Sequence, residues 1–164
     1  MDEFALRPAE DRRVFFAEAA ARRDLAPIIM EKDFWVCWTL RRLMECPDLA
    51  GMITFKGGTS LSKAYWIIKR FSEDIDLTIS REAPLLATVS SPMADNISGK
   101  ERARRAKALG VAAQSYVATT IAPALSGVIG AALGRGEGWS LEGDPEDMDR
   151  QTLLCSPSAP MAQI

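Results

Sequence analysis

Phe55-Lys56-Gly57-Gly58-Thr59-Ser60-Leu61-Ser62-Lys63-Ala64-Tyr65 is a run in which two backbone regimes meet. Ahead of the glycines, Met52 to Phe55 is short and apolar and reads as a strand. Behind them, Leu61, Ala64, Tyr65 and Ile68 recur at i, i+3, i+4 and i+7, which is one face of a helix. A strand that enters a helix through Gly57-Gly58 lets backbone amides approach an anion closely. Thr59 and Ser60 add hydroxyl donors, and the positive end of the helix dipole lies behind them. The run is neither a GxxxxGK[ST] phosphate loop nor a GxGxxG dinucleotide turn. Strand–glycine–helix turns are commonly structural, so this one needs a second signal.

That signal is Asp74-Ile75-Asp76-Leu77-Thr78-Ile79, whose strict alternation predicts a half-buried strand. Asp74 and Asp76 then share one face, with α-carbons roughly 6.6 Å apart, while Ile75, Leu77 and Ile79 face the core. Two carboxylates brought within about 4 Å repel by about 4 kcal/mol at an effective dielectric near 20. A divalent cation removes that penalty, and Mg²⁺ favours one or two carboxylates completed by phosphate oxygens. An isolated Asp-x-Asp is more often a solvated strand face. Following a Gly-Gly-Thr-Ser helix start, it places a phosphate cradle and a metal pair on adjacent elements.

Composition narrows the chemistry further. The chain has 164 residues, 48% apolar and 26% charged, which suits one globular domain. It contains no histidine, which excludes histidine-based nucleophile triads and histidine-ligated zinc sites. Cys37, Cys46 and Cys155 are odd in number and form no CxxC pair, so a reducing, cytoplasmic location is expected. The acidic start Met1-Asp2-Glu3 opens no signal-like apolar run. A net charge of −2 gives no bulk argument for nucleic-acid binding, although a local patch remains open.

Around the central run, Pro8 to Arg23 and Met30 to Glu45 read as helices, the second buried around most of its circumference and closed by Pro47. Residues 83–96 read as a loop. Ser98 with Glu101 forms a capping box that opens a long third helix, which Pro123 is expected to kink or end. From Ala108 to Gly134 there is no charged residue, a length that would span a bilayer. Its polar side chains, its glycines and the helical spacing of Leu109, Ala113, Tyr116, Val117, Ile121 and Ala124 favour a core-packed face and no membrane. Lys100, Arg104 and Lys107 share a face of this helix, either as a solvated helix start or as a contact for a nucleic-acid backbone. A strand near Trp139 to Leu141, an acidic turn over Glu142 to Asp149 and a strand over Gln151 to Cys155 follow, then a tail over 156–164.

The order Gly-Gly-Thr-Ser, helix, Asp-x-Asp is similar to the nucleotidyltransferase fold shared with DNA polymerase β. The run 55–65, together with Arg70-Phe71-Ser72-Glu73-Asp74-Ile75-Asp76-Leu77, resembles the AbiEii/AbiGii-type nucleotidyltransferase toxins of bacterial type IV toxin–antitoxin and abortive-infection systems. Glu31-Lys32-Asp33-Phe34-Trp35-Val36 resembles that family's N-terminal helix, and the resemblance is strong over residues 28–80. It implies an α+β fold with a small mixed sheet flanked by helices, and transfer of a nucleotidyl group from an NTP to an acceptor of the tRNA class. An antitoxin partner is implied as well. Carried onto this chain, Asp74 and Asp76 would be catalytic and bind Mg²⁺; Gly57, Gly58, Thr59, Ser60, Lys63 and Arg70 would bind the nucleotide. Lys56 is a further candidate phosphate contact; it, Lys63 and Arg70 each have the alternative of a solvated helix-end charge. Ser72, two residues before Asp74, is a candidate regulatory phosphosite.

The stretch Gly143 to Asp147 and the run Thr152-Leu153-Leu154 still look family-like, and from Cys155 the resemblance ends. Members continue past this length, so the expectation is a nucleotidyltransferase domain over 1–155 that is incomplete at its C-terminus. The alternative is an inactive remnant that binds only nucleotide or a partner. A third reading is a small interaction module in which both motifs are fortuitous. The resemblance also implies a further acidic or basic catalytic residue downstream, with Asp144 or Asp147 as candidates for a third carboxylate against the simpler reading of an acidic turn.

Overall fold

Prolines set the spacing of the N-terminal helices in a computed structural model that describes residues 1–57, 74–134 and 138–157. Pro8 stands at the N-cap of α2 (Ala9–Ala21), and Pro27 opens α3 (Pro27–Glu45), a position where a missing N–H costs no helical hydrogen bond. Pro27 therefore starts α3 three residues ahead of the expected Met30. Pro47 then stops it and begins a single 3₁₀ turn, Pro47–Leu49. A short α1 (Asp2–Ala5), invisible to periodicity, precedes them. Its docking is tertiary: the Asp2 carboxylate accepts from Trp38 Nε1 at 2.9 Å and pairs with Arg42.

β1 (Ile53–Lys56) and β2 (Asp76–Ile79) pair antiparallel, with Ile53 opposite Ile79, Phe55 opposite Leu77, Thr54 opposite Thr78 and Lys56 opposite Asp76. The parity is clean. Ile53, Phe55, Leu77 and Ile79 form the less accessible face, and Thr54, Lys56, Thr78 and Asp76 the exposed one. β2 begins at Asp76 rather than at Asp74, yet exposure keeps alternating back to Asp74. The helix expected over Leu61 to Ile68 lies outside the described residues.

The stretch expected as a loop, 83–96, contains one short helix, α4 (Pro84–Ala87). α5 (Gly99–Tyr116) starts as predicted, with the Ser98 hydroxyl accepting from the Glu101 amide at 3.1 Å. The reciprocal half of the box gives way to ion pairing: the Glu101 carboxylate is held by Arg104 and Arg105 at 2.8 and 2.7 Å. Pro123 does not end the helix. The backbone widens into a π turn over Val117–Ile121 and continues as α6 (Ala122–Leu133). A wider turn accommodates a residue that has no N–H to give, and the Thr119 hydroxyl caps the Ser115 carbonyl at 2.7 Å.

β3 (Trp139–Gly143) and β4 (Leu153–Pro157) form a second antiparallel pair. β4 runs two residues into the stretch read as a tail; 158–164 lie outside the described residues. The fold is α+β as expected, but among the described residues the strands make two separate two-stranded sheets instead of one mixed sheet. The core joins Trp38 and Leu43 of α3, Leu49, Ile53, Leu86 and the Tyr116–Ile121–Leu125–Ile129 stripe of the long helix. By length and composition Gly99–Leu133 would also reach across a bilayer. Its buried stripe is taken up by the core, as the spacing of its apolar residues predicts.

Candidate active site

The turn between the two sequence signals is where the structure is most specific. β1 delivers the chain to Gly57, whose φ of +78° lies in the left-handed region. The backbone there runs under the Asp76 side chain, so a Cβ on Gly57 would collide with the Asp76 carboxylate, its Cγ lying 2.8 Å away. Two independent constraints thus require glycine: the backbone dihedral and the close approach of the carboxylate. Lys56, directly across the ladder from Asp76, places an ammonium group on the same exposed face.

Asp74 and Asp76 are both exposed, and both line one cavity of about 900 Å³. The cavity lies between β2, α3, the buried stripe of α6 and the β3–β4 hairpin. Its α3 wall is centred on the stripe Glu31, Trp35, Thr39 and Leu43 at successive i+4 steps, widened by Val36 and Trp38. Lys32 stands beside Glu31 at the rim. Trp35 Nε1 is buried without a hydrogen-bond acceptor among the described residues.

Glu31, Lys32 and Trp35 are the residues that chemical reading of the sequence missed. They were visible as a family-like helix and as bulk to be buried; the i, i+4, i+8 spacing of Glu31, Trp35 and Thr39 was the available signal that they share a wall. Gly58, Thr59, Ser60, Lys63, Arg70 and Ser72 lie outside the described residues. The downstream carboxylates are committed to local structure. Asp144 Oδ1 accepts from the Glu146 amide at 2.9 Å, and Asp147 accepts from the amides of Asp149, Gln151 and Thr152 at 2.8 Å each. The Thr152 hydroxyl, with the Gln151 and Asp149 amides, holds Asp147 down to about 2. These bonds make Asp147 the organiser of the hairpin turn.

The donor set suits Mg²⁺: oxygen ligands only, from two carboxylates beside a glycine turn. Among the described residues no group of three or more Asp, Glu, Cys or His side chains closes into a protein-only cage.

A strand, a glycine turn and a carboxylate packed on that turn, in an α+β frame, define the nucleotidyltransferase class of site. The family model described as "Nucleotidyl transferase AbiEii toxin, Type IV TA system" matches residues 38–148. That is more than half of the chain, and the chain belongs to this family of nucleotidyltransferase toxins from type IV toxin–antitoxin systems. The match opens at Trp38 within α3 and closes at Met148 in the hairpin turn, so Glu31 to Val36 and Thr152 to Leu154 lie outside it. Neither the search of curated proteins nor that of solved structures returned a match.

Proposed function

We propose that this protein is a cytoplasmic, Mg²⁺-dependent toxin that transfers a nucleotidyl group from an NTP to tRNA and is restrained by a cognate antitoxin. Family membership supports the reaction class. The observation that carries the site assignment is the Asp76 carboxylate lying against the Gly57 backbone, with Asp74 beside it on the same cavity.

Asp74 and Asp76 would hold the Mg²⁺ through their negative charge, and the Gly57 turn brings backbone close to where phosphates would rest. When bound, Mg²⁺ neutralises the phosphate oxygens on which charge develops during transfer. An acceptor oxygen–phosphorus bond forms as the α–β phosphoanhydride bond breaks, and pyrophosphate leaves. Lys56 adds a positive charge on the face that carries Asp76, positioned to contact the triphosphate. No imidazole is needed, because positioning and electrostatics supply most of the acceleration in phosphoryl-type transfer.

The test is Mg²⁺-dependent labelling of tRNA from an α-labelled NTP. Wild-type protein labels tRNA, and Asp74→Asn or Asp76→Asn reduces the rate by at least about a hundredfold, the usual scale for losing a charge-stabilising group. Equal labelling by the wild type and both variants would remove the assignment. Wild-type protein that shifts its melting temperature with NTP–Mg²⁺ yet labels nothing would reduce the function to nucleotide binding.

A further inference from the structure

The start of α5 carries five cations and one carboxylate between Lys100 and Lys107, in a chain whose formal net charge is −2. Positive side chains in the first two turns of a helix oppose its dipole, which favours acidic residues there. Local bonds account for Arg102, Arg104 and Arg105 but not for Lys100 and Lys107, and charges that local structure does not use are typical of a binding surface.

The structure shows how they are held. Arg102 donates to the Pro92 carbonyl at 2.8 Å and Arg105 to the Ser91 carbonyl at 3.0 Å. Arg102 is fixed by a neutral acceptor, whereas Arg105 is fixed by one and also pairs with Glu101. Glu101 is shared between Arg104 and Arg105, so one carboxylate faces two guanidiniums. Lys100, Arg104 and Lys107 lie on one exposed side of the helix, spanning a rise of about 10 Å. Between the cations this exposed surface offers only alanines, Ala103 and Ala106. A protein-binding patch is normally centred on aromatic or large apolar side chains, and a lipid-binding helix needs an apolar face to insert. An exposed row of cations flanked by the fixed Arg102 and Arg105, with no large exposed apolar side chain before Val111 at its far end, matches a polyanion that is bound through its phosphates.

We propose that the first two turns of α5, braced by residues 91–92, form the docking surface for the phosphate backbone of the RNA acceptor. This rests on the tRNA reading above and names where the acceptor is held. The decisive experiment measures binding of a fluorescent tRNA across a salt series. The proteins compared are wild type, the triple variant Lys100→Gln/Arg104→Gln/Lys107→Gln, and Asp76→Asn. Wild type and Asp76→Asn bind alike, whereas the triple variant binds about tenfold or more weakly at low salt. Its slope of log affinity against log salt falls by about two to three, the counterion release of three phosphate contacts. Circular dichroism and the NTP–Mg²⁺ melting shift of the triple variant match wild type, which shows an intact fold and nucleotide site.

Unchanged affinity and slope in the triple variant would overturn the docking surface while leaving nucleotidyl transfer standing. Loss of tRNA affinity in that variant, in a protein that labels nothing, would keep the surface and remove the transfer reading. Binding of wild type to phosphatidylserine vesicles but not to tRNA would overturn the proposal in favour of a membrane.

Discussion

At Gly57 one residue carries both the geometry of the turn and the placement of a catalytic candidate. Gly57→Ala forces a side chain into the left-handed region, at about 1–2 kcal/mol, and also drives a methyl group into the Asp76 carboxylate. The protein is therefore expected to melt lower and to lose nucleotidyl transfer together. Combined with Asp76→Ala, the same substitution should cost less, because the carboxylate is gone and only the backbone strain and a tight 3.0 Å approach of the residue 76 Cβ remain. A double-mutant cycle in thermal unfolding measures that coupling, and strict additivity would show that the two residues do not meet. The glycine and the carboxylate pair were legible because their chemistry depends on residue type and on short spacing. Glu31 and Trp35 were not, since a helix face gives no sign of what stands opposite until the tertiary structure places β2 across from it.

The elements were legible to the extent that their causes are local. Ser98 opened α5 as read, because an N-cap needs only its own amide partners three residues on. Pro123 does not end the helix, because the π turn suspends the i→i−4 ladder ahead of it. The β3–β4 hairpin depends on one carboxylate in the same local way. Asp147 titrates near 3.8 when unfolded and near 2 when folded, so its contribution is complete above about pH 4 and is lost as the pH falls through about 2. Acid should loosen this turn within that window. In an NMR titration the Gln151 and Thr152 amides should shift with a midpoint near 2; a midpoint near 3.8 would mean that Asp147 does not hold the turn.

Across the whole molecule, Trp38 ties the N-terminal arm to the core. It is 1% exposed, donates to Asp2, stacks edge-on with Trp35 and lies under the Arg42 guanidinium. Trp38→Ala should cost about 3–5 kcal/mol. Trp38→Phe, which keeps the ring but drops the indole N–H, should cost clearly less. Urea unfolding midpoints rank the two, and equal losses would show that the bond to Asp2, not packing, dominates. The order of helices and strands was readable from pattern and the α+β class from the family resemblance, whereas the separation into two small sheets was not, since pairing is settled between distant segments. The π turn has its own long-range effect, best expressed as an angle. On an unbroken α-helix, Lys107 and Ile121 would lie within about 40° of each other around the axis, and Leu125 and Ile129 would continue beneath the same cationic side. One extra residue in a turn sets everything beyond it back by about 100°. That rotation lets a single rod turn its downstream stripe inward to the core while its upstream charges remain facing water.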